Sequence, residues 1–127
     1  MNRYVVDASA VLAVLNDEPG ADLLASPDDR FIVSAVNLAE VVAKLTDAGI
    51  APEAIDEMID QLPLEVHAFG ADMAVATGLL RTATRRFGLS LGDHACLALA
   101  RGLDLPALTT NRAWRQLDLD VAVRLLR

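Results

Sequence analysis

The sequence predicts an α/β fold, with a central, mostly parallel sheet covered by helices on both faces. Two observations carry this expectation. Short, apolar, β-prone runs alternate with longer runs of helical periodicity, the pattern of parallel strands joined by crossing helices. The chain has 127 residues, 54% of them hydrophobic, enough for one domain over residues 1–127 to bury a core without disulfides or a structural metal.

The elements follow in order. Tyr4-Val5-Val6 reads as a strand and ASAVLAVLN as the helix after it. Pro19-Gly20 breaks the chain, ADLLA reads as a short helix, and SPDDR as a loop into the strand Phe31-Ile32-Val33. Ser34 is placed to cap a helix running to about Thr46. After the punctuation of Gly49 and Pro52, PEAIDEMIDQL is amphipathic, with Ile55, Met58, Ile59 and Leu62 on one face and acids on the other. Leu64, Val66, Ala68 and Phe69 give a weaker strand signal, and Ala71 to Phe87 returns to a helical pattern. Leu91 to Gly102 is helical, Pro106 to Thr109 a buried strand, Arg112 to Leu117 a short helix and Val121 to Leu125 a last strand. The helix Pro52–Leu62 and the run Val11–Leu15 offer apolar faces for a second copy or a partner helix, although ordinary core packing accounts for most of their residues.

Composition narrows the function classes. No run approaches the roughly 18 apolar residues of a membrane span. The N-terminal apolar run is broken by Asp7 and followed by Asp17 and Glu18, which argues against an export signal. The lone Cys96 forms no internal disulfide and suits a reducing cytoplasm. The net charge of −7 is unevenly divided: residues 1–72 carry 14 of the 18 acids and a net −11, residues 73–127 eight arginines and a net +4. Ten of the eleven basic residues are Arg, suited to forked contacts with phosphate. A polyanion partner therefore stays open despite the acidic total.

In open α/β sheets ligands gather beyond the C-terminal ends of the strands. Asp7 directly follows the first strand, where a helix cap is the plain alternative. Glu40 lies in SAVNLAEVVAKL among apolar neighbours, so its helix reads as largely enclosed; a surface pair with Lys44 is the plain account. Asp93, in GLSLGDHACL, either completes a capping box with Ser90 or belongs to a site. Asn111, in LTTNRAW, follows the strand ending at Thr109, where a turn Asn is ordinary. Taken together, three carboxylates and an amide brought to one sheet edge repel unless a cation lies among them. Mg²⁺ or Mn²⁺ suits such oxygen donors. His67, His94 and Cys96 lack a ligand-spaced set, which disfavours zinc.

With these residues in place, the chain resembles the PIN-domain family, and within it the VapC-type toxins of bacterial toxin–antitoxin pairs. Four segments carry the resemblance over nearly the whole chain: YVVDASAVLAVLNDEPG, VSAVNLAEV, SLGDHACLALA and LTTNRAW. It implies a three-layer α/β/α domain and Mg²⁺- or Mn²⁺-dependent endoribonuclease activity. It also implies a homodimer and neutralisation by a small cognate VapB-type antitoxin, often through a basic residue reaching the carboxylates. By resemblance, Asp7, Glu40 and Asp93 are the acidic metal ligands, directly or through water, with Ser9 and Thr109 as supporting polar groups. Asn111 departs from the pattern, since the family usually has Asp there; an amide oxygen still ligates but removes one negative charge. Arg81, Arg85, Arg86, Arg112 and Arg115 are the candidates for RNA backbone contacts, against the alternative of a solvated face.

Two other classes stay in view. A catalytically weakened PIN-like module would grip antitoxin or RNA without cutting. A Mg²⁺-dependent phosphatase or phosphoacceptor would also begin with an Asp after the first strand. The phosphatases need a second Asp two residues on, where this chain has Ser9, and receiver domains a Lys late in the sheet, whereas the only Lys is Lys44.

Overall fold

The computed structural model describes residues 2–24 and 27–127. Five strands form one sheet: β1 (Arg3–Val6), β2 (Arg30–Ser34), β3 (Leu64–His67), β4 (Ala107–Thr109) and β5 (Val123–Leu125). Their order is β3-β2-β1-β4-β5, and every pairing is parallel. The helices are α1 (Ala8–Leu15), α2 (Ala35–Asp47), α3 (Pro52–Asp60), α4 (Ala71–Leu79), α5 (Arg81–Thr84) and α6 (Leu91–Leu103).

Alternation along the strands builds two cores, one on each face. Tyr4, Val6, Phe31, Val33 and Leu108 point to the face covered by α1, α2 and α3, where they meet Val11, Val41, Leu45 and Ile55. Val5, Ile32 and Ala107 point to the other face, against Leu80, Cys96, Leu97, Ala100 and Trp114. The result is the α/β/α arrangement. Each fully buried aliphatic side chain contributes about 1.5–3 kcal/mol relative to exposure, so both layers are needed.

Several sequence expectations shift here. Ala71 to Phe87 is not one helix: α4 stops at Leu79, α5 takes one turn, and a 3-10 turn, Arg85–Phe87, ends at Gly88 in the left-handed region. The segment ADLLA forms a 3-10 turn, Ala21–Leu24, with Ala25 and the following Ser26 outside the described residues. Arg112–Gln116 is also a 3-10 turn, and the last strand begins at Val123. In α2 only Asn37, Val41 and Leu45 are buried, so the helix is enclosed on one face rather than all round. The apolar residues of α1 and α3 pack mainly into the core. Gly20 is required sterically: its φ is +94° and a Cβ would overlap the carbonyl of Leu126.

Candidate active site at the switch point of the sheet

The strand order turns back between β1 and β4. The crossing from β1 leads to β2 on one side, and the chain returns to β4 on the other. Such a switch point opens a crevice at the strands' C-terminal ends. Asp7 and Thr109 stand at those two ends.

Asp7 caps α1 and is 4% exposed. One carboxylate oxygen accepts from the Ser9 hydroxyl at 2.7 Å and the Ala10 amide at 2.9 Å; the other accepts from the Thr109 hydroxyl. Ser9 Oγ in turn accepts from the Thr110 amide at 3.1 Å, and Thr109 Oγ1 from the Asn111 amide at 3.0 Å. Burial pushes the Asp7 carboxyl above its ordinary range. The bonds from Thr109, Ser9 and Ala10 pull it back, and the charge of Asp93 adds to the rise.

Glu40 is half-buried on α2. Its Oε1 accepts from the Asn37 side-chain amide at 3.0 Å, and the same amide nitrogen donates to the Gly92 carbonyl at 3.0 Å. The carboxylate lies so close to Gly92 that a Cβ there would overlap it. The plain alternative, a surface pair with Lys44, is not formed among the described residues, where Lys44 is exposed.

Asp93 does complete a capping box. Its Oδ2 accepts from the Ser90 amide at 2.9 Å while its own amide donates to Ser90 Oγ at 3.1 Å. The capping role uses Oδ2. His94 turns away into the core, with Nδ1 against the Ser90 carbonyl at 2.8 Å and Nε2 against Thr84 Oγ1 at 2.6 Å, so neither ring nitrogen is left for a ligand. Cys96 is fully buried, and its thiol is held well above its ordinary pKa by burial first, then by the charges of Asp7, Asp93 and Glu40. That thiol is an inert core group.

The charges of all three carboxylates, Asp7, Asp93 and Glu40, act on the buried Cys96 thiol. The carboxylates do not converge as ligands: among the described residues no set of three Asp, Glu, His or Cys side chains is within ligating reach of a common point. The cause is visible in their bonds, because Asp7 is turned onto Thr109 and Ser9, Glu40 onto Asn37, and Asp93 onto its cap. Among the described residues no Lys or Arg pairs with any of them. The donor set is all oxygen and lacks a counter-charge, which suits a hard divalent cation.

Asn111 is exposed and turns its Oδ1 onto the Ala113 amide at 3.1 Å, the ordinary capping behaviour of a turn Asn. The five candidate arginines are exposed and fall into separate groups. Arg112 and Arg115 line a surface hollow with Leu125 and Arg127. Arg81 lines another beside Leu89, Leu91 and His94, and Arg86 stacks over Phe87 at 5.0 Å. Two residues were missed in the sequence. Asn37 stands at i−3 from Glu40, a spacing that pairs side chains on a helix, and Gly92 is a glycine in a first helical turn, a sign of close approach.

Comparison with known proteins shows the family and the fold. The PIN domain model matches residues 4–119. The ribonuclease VapC42 of Mycobacterium tuberculosis H37Rv is 34% identical over 116 residues, covering 82% of this chain and 87% of that protein. The chain therefore belongs to the PIN-domain family, and within it to the VapC group. Its fold is shared with VapBC2 of Rickettsia felis bound to a promoter DNA fragment, with a TM-score of 0.76, 19% identity and coverage of 97% of this chain and 98% of that one. DNA-bound VapBC of Salmonella typhimurium gives 0.75 and 18%, with both chains covered fully.

Proposed function

We propose that the chain is a metal-dependent endoribonuclease, the toxin of a toxin–antitoxin pair. The observation that carries the reading is the set of three carboxylates at the switch point, one of them buried, with no basic partner among the described residues. The naming of the 34% identical relative as a ribonuclease supports it.

Asp7, Glu40 and Asp93 would hold Mg²⁺ or Mn²⁺, directly or through water, with the amide oxygen of Asn111 as a fourth donor. The bound ion supplies charge neutralisation at the scissile phosphate and a more acidic water. Ser9 and Thr109, one on each carboxylate oxygen, keep Asp7 in place without help from substrate. Asp93 acts as the base that takes the proton of the attacking water through Oδ1, the oxygen not used in its cap. In-line attack leaves a 3′-hydroxyl and a 5′-phosphate. Arg112 and Arg115, just past Asn111, carry the RNA backbone together with Arg127.

The partner is a VapB-type antitoxin, in keeping with the VapBC assemblies named among the structural relatives. A basic antitoxin side chain entering the crevice would supply the missing counter-charge. Homodimerisation has an apolar surface to use on α4, where Val75 and Leu79, one turn apart, are 63% and 75% exposed.

The test is cleavage of total and defined RNAs by antitoxin-free protein, with Mg²⁺ or Mn²⁺ and with EDTA, beside Asp7→Ala and Asn111→Asp. Metal-dependent cutting lost in Asp7→Ala and only modestly altered in Asn111→Asp is the expected result. Wild type as inert as a folded Asp7→Ala, with cutting awakened by Asn111→Asp, would establish the weakened binding module instead.

A further inference from the structure

We infer that Asn37 and Gly92 are positioning residues that fix the Glu40 carboxylate against the first turn of α6, and so set its place relative to Asp93; the inference rests on the proposed metal-dependent nuclease site.

Asn37 is 1% exposed, and its Oδ1 has no hydrogen-bond partner among the described residues. Its nitrogen is fully used. The two acceptors facing it, a carboxylate oxygen and a backbone carbonyl, can only accept, so the amide orientation is dictated by its partners. One side chain thereby ties α2 to a carbonyl 55 residues away on α6 and holds Glu40 in the same grip. Gly92 makes room for this. Its missing Cβ is the space the Glu40 carboxylate occupies, and Asp93 is the next residue along. Donor and clearance act on the same carboxylate from two helices. Asn37 need not touch substrate or metal to matter; it acts through Glu40.

The experiment uses the full chain, free of antitoxin, with Mn²⁺ alone as the probe. Mn²⁺ binding by calorimetry, thermal midpoint, and kcat and KM on RNA are measured for wild type, Asn37→Ala, Glu40→Gln and the double variant. Loss of such a supporting bond weakens metal affinity about 10- to 100-fold. Asn37→Ala should show that loss, with kcat falling while KM for RNA is kept. In the Glu40→Gln background the same change should weaken Mn²⁺ binding no further. Wild-type Mn²⁺ affinity in Asn37→Ala, or effects that multiply in the double variant, would overturn the inference. If Asn37→Ala does not fold, Gly92→Ala decides: it should lower the midpoint, and Glu40→Ala added to it should restore the midpoint by vacating the space. Gly92→Ala as stable as wild type would overturn the close approach. Mn²⁺ binding that Asp7→Ala abolishes and Asn37→Ala leaves intact removes this inference alone; no Mn²⁺ binding by wild type removes the nuclease site and the inference together.

Discussion

Burial works against the charge on Asp7, and its three hydrogen bonds only partly offset this. The linkage has a definite sign. The folded chain keeps the Asp7 proton at a pH where the unfolded chain, with an ordinary value of 3.8, has released it. The stability this contributes is present below about pH 4 and is lost as the pH rises through the raised folded value. Asp7→Asn should therefore melt higher than wild type at neutral pH, on the order of a few °C, and the difference should shrink as the pH approaches 4. Asn keeps an acceptor for Ser9 and Ala10, while the Thr109 hydroxyl turns to accept from the new amide. An Asp7→Asn protein less stable than wild type at neutral pH would disprove this account. Asp7 was legible in the sequence because it directly follows a strand, whereas Ser9 and Thr109 entered through the family resemblance. Asn37 was not legible, because its partners are a side chain one turn on and a carbonyl 55 residues away, and the second is visible only in the folded chain.

Among the elements, α6 shows how much one turn carries. Its capping box joins Ser90 and Asp93 reciprocally. Ser90→Ala removes the hydroxyl acceptor and should cost about 1 kcal/mol of stability, read by denaturant titration with an unchanged slope. A loss under a few tenths would mean that the Asp93 carboxylate alone suffices. Four strands and the long helices were legible because their apolar patterns are strong, and β3, which has no fully buried residue, gave a weaker signal. The break in Ala71 to Phe87 was not legible: Gly78, Thr77, Thr82 and Thr84 weaken the helix, and Thr84 Oγ1 bonds back locally to the Leu80 carbonyl, but its contact with His94 on α6 belongs to tertiary structure. Short 3-10 turns at Arg112–Gln116 and Ala21–Leu24 likewise share their composition with short helices.

On the scale of the whole molecule, the uneven charge of the sequence becomes a division in space. The acidic residues 1–72 build β1 to β3 and α1 to α3, the basic remainder builds β4, β5 and α6, and Asp7 lies at the seam between β1 and β4. RNA binding by the inactive Asp7→Ala protein should weaken with salt, and Arg112→Ala with Arg115→Ala should make that dependence shallower by about 0.7 per lost phosphate contact. A slope unchanged by both substitutions would take these arginines off the RNA path. The switch point also has a temporal meaning. Thr109 grips Asp7 across 102 residues of chain, so during synthesis at about 5–20 residues per second the first carboxylate waits on the order of 5–20 seconds for the strand that fixes it. Asp93, too, arrives in the last third of that interval. Asp7 is therefore gripped only when translation is nearly finished, and a chain truncated before β4 lacks the hydroxyl that holds it.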